Sequence, residues 1–276
     1  MKNPALPFLL PMLLLSLGGF VAPMGVLAFY SLSAGGNPGL FGNYTAFLED
    51  PFNLWIILDT VTLGFKVVVV ATCLALPIAM LYWHGGRRLR QTMVVLALLP
   101  MLTSNIVRTF AWIVLLGRNG PLVAIADVLG LIDGPRSFLL TEGGLVIALA
   151  QIELPLLLLP MIAVLSRMDR RLVEAAEMAG AGPWRIMFTI VLPLTLPGII
   201  AGWILTFASA ATNFVTQAAI GGARLIYLPQ FLYRQVNILF DWPTASVVAF
   251  ILIVSTGSVI LALAMLTRHP RLIGNA

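Results

Sequence analysis

Six stretches of about twenty mostly apolar residues constrain the fold of this chain more tightly than any motif in it. A helix rises about 1.5 Å per residue and satisfies its own main-chain polar groups, so about 20 such residues cross a hydrocarbon core ~30 Å thick. The stretches are Leu6–Tyr30, Val61–Trp83, Met93–Leu116, Leu145–Leu165, Leu194–Thr216 and Ala245–Thr267. With 60% hydrophobic residues, 10% charged residues and a mean hydropathy of +1.00, the chain is too apolar for a soluble domain. The expected fold is an all-α membrane protein of six transmembrane helices, with residues 1–276 forming one domain. Pro77, Pro100, Pro155 and Pro160 lie inside the stretches and are compatible with them, because neighbouring helices can take up the freed carbonyls. Lys2 and the run from Leu6 have the outline of a signal peptide. The run continues to Tyr30 without a small-residue cleavage site, so it reads as a retained span.

The basic residues set the orientation. Lys2, Arg87, Arg88, Arg90, Arg167, Arg170, Arg171, Arg185, Arg268 and Arg271 fall on one side of the six spans. Arg118, Arg136, Arg224 and Arg234 fall on the other, with Glu49, Asp50, Asp59, Asp127, Asp133, Glu142 and Asp241. Lys and Arg gather on the cytoplasmic side of membrane proteins, so both termini and the connection of residues 166–193 are expected inside the cell. The net charge of +5 is dispersed between spans with no nucleic-acid-reading motif, which excludes a nucleic-acid partner. Outside, Ser31–Thr60 with Gly35, Gly36, Pro38, Gly39 and Pro51 reads as a turn-rich loop. Leu122–Leu131 reads as a short surface helix, and Gly221–Pro243, with Tyr227, Phe231, Leu232 and Tyr233, as a partly embedded segment. Trp55, Trp83, Trp112, Trp184 and Trp242 fall near the ends of spans, where amphipathic rings settle.

The most distinctive polar stretch is Glu174–Pro193, EAAEMAGAGPWRIMFTIVLP, between the fourth and fifth spans. Asp169 suits an N-cap and opens a helix from Arg170 to Ala179, with Leu172, Val173 and Ala176 on one side and Arg170, Glu174 and Glu177 towards the other. Gly180 ends it, because a residue without a Cβ enters the left-handed conformation readily. Pro183 suits the first turn of a second helix. Ala175, Ala176 and Ala179 leave little bulk, so another protein's surface can approach the backbone closely. Glu174, Ala175 and Ala176, then Gly180 after three residues, then Ile190, Leu192 and Pro193, resemble the cytoplasmic coupling loop of permease subunits of binding-protein-dependent ABC importers.

The resemblance continues in NIVRTFAWIVLLGRN at Asn105–Asn119, with Gly120, Pro121, Gly130, Leu131, Ile132 and Asp133, and in Gly221, Gly222, Ala223, Asp241, Trp242 and Pro243. These are similar to the polyamine-type branch, which also holds opine-like, phosphonate and ferric-iron permeases. It implies a type I importer fold in the bacterial inner membrane: two six-helix permeases around a pathway, two ATPases gripping the coupling loops, and an external binding protein. In the polyamine-type systems the second permease is commonly a different, related chain. Glu174 is then the charged contact to the ATPase, Ala175 and Ala176 the close-approach surface, and Gly180 the bend.

Ionisable residues inside a membrane need a partner, water or a function. Lys66 stands near an end of the second span, where its long side chain can snorkel to the interface. Arg108 and Glu153 are each about 8 residues from the outer ends of consecutive spans, hence ~12 Å deep. Two readings stand: an ion pair within the subunit, or a pathway-facing Glu153 that attracts a cationic solute. Gln151 and Asn213 are further polar candidates for the pathway, and such groups also join helices by hydrogen bonds.

There is no Gly-x4-Gly-Lys-Ser/Thr loop, so ATP and its Mg are expected on partner subunits, with no cofactor in this chain. His84, His269 and Cys73 lack metal-ligand spacing, and no nucleophile and base converge in sequence. The reading is a non-catalytic transport subunit for a polyamine or related small amino compound. A channel or ion-gradient-driven transporter using Arg108 and Glu153 as a relay is the reading of another class.

Overall fold

The computed structural model describes residues 6–33, 39–130, 132, 134, 136–169 and 171–267. Lys2, Gly35, Gly36, Pro38, Leu131, Asp133, Arg170, Arg268, His269 and Arg271, used in the readings above, lie outside the described residues. Every regular element among the described residues is helical. In order these are α1 (Leu6–Ser33), α2 (Gly42–Glu49), α3 (Pro51–His84), α4 (Arg87–Leu98), α5 (Asn105–Leu116), α6 (Pro121–Val128) and α7 (Glu142–Arg167). Then come α8 (Arg171–Met178), α9 (Pro183–Ile186), α10 (Leu192–Thr212), α11 (Phe214–Thr216), α12 (Leu228–Arg234) and α13 (Trp242–Thr267). Among the described residues, six segments are long and apolar enough to cross a membrane: Leu14–Leu32, Pro51–His84, Asn105–Val128, Glu142–Arg167, Pro183–Thr212 and Trp242–Leu266.

Three boundaries differ from the sequence expectation, each for a local reason. The second span begins ten residues early, because Pro51 starts a helix of 34 residues rather than closing a loop. The supposed loop before it also contains α2. The third stretch is not one helix from Met93 to Leu116: a 3-10 turn at Leu99–Leu102 and extended backbone at Thr103 and Ser104 separate α4 from α5. Pro100 has no N–H to continue the α ladder, which favours such a break. The fifth helix stops at Thr212, because Asn213 leaves helical geometry at φ −76°, ψ 80°.

The contacts divide the chain into two units, residues 1–56 with 231–253, and residues 57–230 with 254–276. In the first, the Tyr44 hydroxyl donates to Ser31 Oγ at 3.0 Å, and the Phe47 and Phe52 rings meet Phe231 edge-on.

The second unit is built around α7, the most deeply buried of the six spans. Helix α10 packs along it more extensively than any other two elements pack. Gly198 and Gly202, one turn apart on α10, make this possible: a Cβ at Gly198 would stand 2.8 Å from the Pro160 carbonyl oxygen, and one at Gly202 2.9 Å from that of Leu157. Small residues at this spacing let two membrane helices bring their backbones together. Gly64 of α3 makes the same allowance for the Phe207 ring of α10. Trp203 Nε1 donates to Thr72 Oγ1 at 2.9 Å and ties α10 to α3.

At the end of α3, the Arg90 guanidinium donates to the Tyr82 and Trp83 carbonyls at 3.0 and 2.7 Å and lies over both rings. A cation here satisfies carbonyls that the helix end leaves open. Trp83 and Trp112 are buried in the bundle, unlike a belt of interfacial rings.

Candidate functional site

The connection between α7 and α10 folds as its sequence dictates. Asp169 Oδ1 accepts the Arg171 amide at 2.9 Å and caps α8. At the other end, the Gly180 amide donates to the Glu177 carbonyl at 2.9 Å and the Ala181 amide to the Ala176 carbonyl at 3.0 Å. With Gly180 at φ +80°, this is a Schellman motif. Pro183 then opens α9 at its first position, and a π-helical stretch at Met187–Val191 joins α9 to α10. Pro193 cannot donate to the Thr189 carbonyl, so the ladder widens and the Leu192 amide reaches Met187 instead.

This geometry sorts the predicted coupling residues into two faces. Val173, Ala176 and Ala181 pack on the core of the bundle, as do Ile190 and Leu192 at the start of the fifth span. Glu174, Ala175 and Gly180 are exposed. Leu172, expected on the packed side, is exposed too, along with Met178, Trp184 and Phe188. The Trp184 and Phe188 rings stack with centroids 6.3 Å apart. Met178 is 90% exposed and Trp184 73%, which gives the loop an uncovered apolar surface beside Glu174. Sequence reasoning read Trp184 only as an interfacial ring and did not single out Met178 or Phe188, although an apolar trio within a polar connection is a signal for contact.

A second cluster lies where α5, α7 and the α10–α11 break meet. Asn213 Nδ2 donates to Glu153 Oε1 at 2.9 Å, and Asn213 Oδ1 accepts from Asn105 Nδ2 at 3.3 Å and from the Thr216 amide at 3.1 Å. Asn213 thus caps α11 while holding the Glu153 carboxyl group. Thr109 and Thr216 share a hydroxyl hydrogen bond at 2.9 Å. Gln217 Nε2 donates at 2.9 Å to the Ala210 carbonyl, which the end of α10 exposes. Trp112 Nε1 donates to Gln151 Oε1 at 2.9 Å.

The Arg108–Glu153 ion pair is not formed. The two residues do stand at adjacent levels, but Arg108 Nη1 donates to the Ile152 carbonyl at 2.9 Å while Glu153, only 5% exposed, turns to Asn213. Pro155 has no N–H to donate to the Gln151 carbonyl, so one bond of the α7 ladder is missing beside the Ile152 carbonyl that Arg108 takes. Arg108 Nε and Asn105 Oδ1 are buried without partners. Of the four proposed pathway residues, Glu153 and Asn213 are bonded to each other and Arg108 takes the carbonyl next to Glu153, with Asn105, Thr109, Thr216 and Gln217 around the same break, while Gln151 is tied to Trp112. Asn105 and Thr109 share a face of α5 with Arg108 at helical spacing, a signal available in the sequence.

Lys66 also departs from expectation. Its ammonium group pairs with Glu142, the first residue of α7, and does not merely snorkel. His84 Nδ1 lies 3.0 Å from the Met80 carbonyl oxygen within its own helix.

Multiple membrane-crossing helices, a polar cluster within them and a capped two-helix loop between the fourth and fifth spans define a multi-pass membrane transport subunit. The chain belongs to the family of binding-protein-dependent transport system inner membrane components, which it matches over residues 4–273. It is 28% identical over 207 residues to the spermidine/putrescine transport system permease protein PotB of Haemophilus influenzae, covering 75% of this chain and 72% of that one. It is 30% identical over 214 residues to the inner membrane ABC transporter permease protein YdcU of Escherichia coli K12, covering 72% and 67%. Among solved structures, a chain of a bacterial ABC transporter that imports the acidic polysaccharide alginate shares the fold, with a TM-score of 0.77 and 17% identity over 95% of this chain and 94% of that chain. The protein is a permease subunit of a binding-protein-dependent ABC importer, resident in the inner membrane.

Proposed function

We propose that this chain forms the solute pathway with a second, related permease and is driven by two ABC ATPases that grip the Glu174–Pro193 loop. An external solute-binding protein delivers the solute, ATP and Mg are held by the ATPases, and both termini face the cytoplasm. The observation that carries the reading is the loop: a Schellman turn fixes α8 against α9 while Glu174, Ala175, Met178 and Trp184 stay uncovered. Its packed face, Val173, Ala176 and Ile190, joins the bundle core, so force applied to the exposed face reaches α7 and α10. ATP binding shifts the pathway between states only if contacts at this face differ between them.

The solute that fits best is a polyamine or a related small amino compound. The named spermidine/putrescine relative supports this, as does the Glu153 carboxyl group among the oxygen acceptors of Asn105 and Asn213. Arg108 beside them is held by a main-chain carbonyl and leaves Glu153 uncompensated by a cation. Opine-, phosphonate- and ferric-iron-type solutes are the alternatives within the branch.

Gly180→Asp tests the coupling. A side chain at φ +80° strains the turn and projects into open space on the docking face. Uptake by the assembled importer is expected to fall at least about tenfold while the chain still reaches the membrane. Undiminished uptake at normal expression removes the loop from the mechanism. Reconstitution without the ATPase separates the other class: solute flux by this chain alone would make it a channel or secondary transporter.

A further inference from the structure

We propose that the crevice between α3 and α7 beneath the Lys66–Glu142 ion pair binds one aminophospholipid of the phosphatidylethanolamine type. The crevice measures about 520 Å³ and is lined by Phe65, Val69, Val70, Gly143, Val146 and Ile147. Such a volume is in the range of small-molecule sites. Apart from the ion pair its wall is apolar.

The polar and apolar parts are ordered along the membrane normal. Glu142 is the first residue of its span, and Lys66 meets it from inside α3, whose 34 residues are more than the hydrocarbon core needs, so the pair is assigned to the headgroup level. Val69 and Val70 follow Lys66 by three and four residues, and Val146 and Ile147 follow Glu142 by four and five. Both helices therefore run from the charges into the crevice, with Val69, Val70, Val146 and Ile147 about one turn deeper and Phe65 and Gly143 beside the pair. Charge above and hydrocarbon below is the form of a phospholipid. Gly143 has nothing within 4 Å of a would-be Cβ, which leaves the mouth open next to Glu142.

The charges select the headgroup. Lys66 and Glu142 are 50% and 44% exposed, so each has a face free for a further partner. A half-exposed pair contributes little by itself, and admitting a lipid's opposite charges costs little. The lipid phosphate meets Lys66 and its ammonium meets Glu142. Burial, then the carboxylates of Glu142 and Asp59, raise the pKa of the nearby Tyr227 hydroxyl, so a second carboxylate acts close to Glu142. Two carboxylates so close together disfavour an anionic phosphatidylglycerol. Phosphatidylcholine carries a cation but no N–H to donate to Glu142.

Competition among lipids tests the site. The full importer is reconstituted in nanodiscs with equal amounts of phosphatidylethanolamine, phosphatidylcholine and phosphatidylglycerol, and the lipid kept on release is measured by native mass spectrometry. Phosphatidylethanolamine is expected to be retained about fivefold over either competitor. The double variant Lys66→Met with Glu142→Leu is expected to lose that preference, and Val146→Trp to lose retained lipid by filling the crevice. A photo-crosslinker at the exposed Ile147 on the crevice wall is expected to capture lipid in an otherwise unaltered chain. Equal retention of the three lipids overturns the proposal, as does capture of a polypeptide in place of lipid.

Discussion

Asn213 does more than any other single side chain in the polar cluster. It ends α10, caps α11 through the Thr216 amide, and occupies both Glu153 and Asn105. Asn213→Ala removes the cap and leaves the Glu153 oxygen without its donor, a loss of about 1–3 kcal/mol. Asn213→Asp keeps the cap but sets a second carboxyl group beside Glu153, and is expected to lower the melting temperature of the purified complex further than Ala does at neutral pH. Tyr227 offers a check by titration. Burial, then the carboxylates of Glu142 and Asp59, raise its hydroxyl pKa above the ordinary 10.0. A raised folded value means the folded state holds the proton more tightly. The associated stability is complete below pH 10.0 and is lost as pH rises towards the folded value. Tyr227→Phe is expected to flatten the fall of melting temperature across that alkaline range.

Between elements, the contact of α10 with α7 governs stability because it joins backbone to backbone. Gly202→Val would press side-chain carbons against the Leu157 carbonyl oxygen and Cα, which lie 2.9 and 3.0 Å from the position of a Cβ. Overpacking of this kind costs about 1–3 kcal/mol, and the yield of folded protein is expected to drop. Gly143→Ala, where nothing stands within 4 Å, is the control and is expected to leave the yield unchanged. Arg90 works at the same scale. Its fork caps two carbonyls at the end of α3 and covers two aromatic rings, so Arg90→Lys, a point charge without the fork, is expected to recover only part of the stability lost in Arg90→Ala, measured by melting temperature.

At the scale of the whole molecule, the orientation of the spans decides whether the α8–α9 loop can meet an ATPase. Cys73, the single cysteine, is exposed on α3 within a span. After Cys73→Ser, a cysteine introduced at Met178 is expected to react with a membrane-impermeant thiol reagent only in inverted vesicles. Labelling of intact cells instead would place the loop outside and remove the basis of the ATP-driven reading.

Some of this was legible from residue types alone. Hydrophobic length revealed the six spans, because lipid admits only segments that satisfy their own backbones. The capped helix with its glycine bend was equally legible, because Asp169, Gly180 and Pro183 act through local backbone preferences that need no distant partner. Partner choice was not. The chain places Arg108 and Glu153 at matching depths, but a one-dimensional reading cannot rotate helices about their axes. Only packing decided that Glu153 turns to Asn213, that Arg108 takes a main-chain carbonyl, and that Lys66 meets a carboxylate 76 residues away. Local chemistry writes where helices begin and end; the angular position of each helix is set by its neighbours, and that determines which polar groups meet.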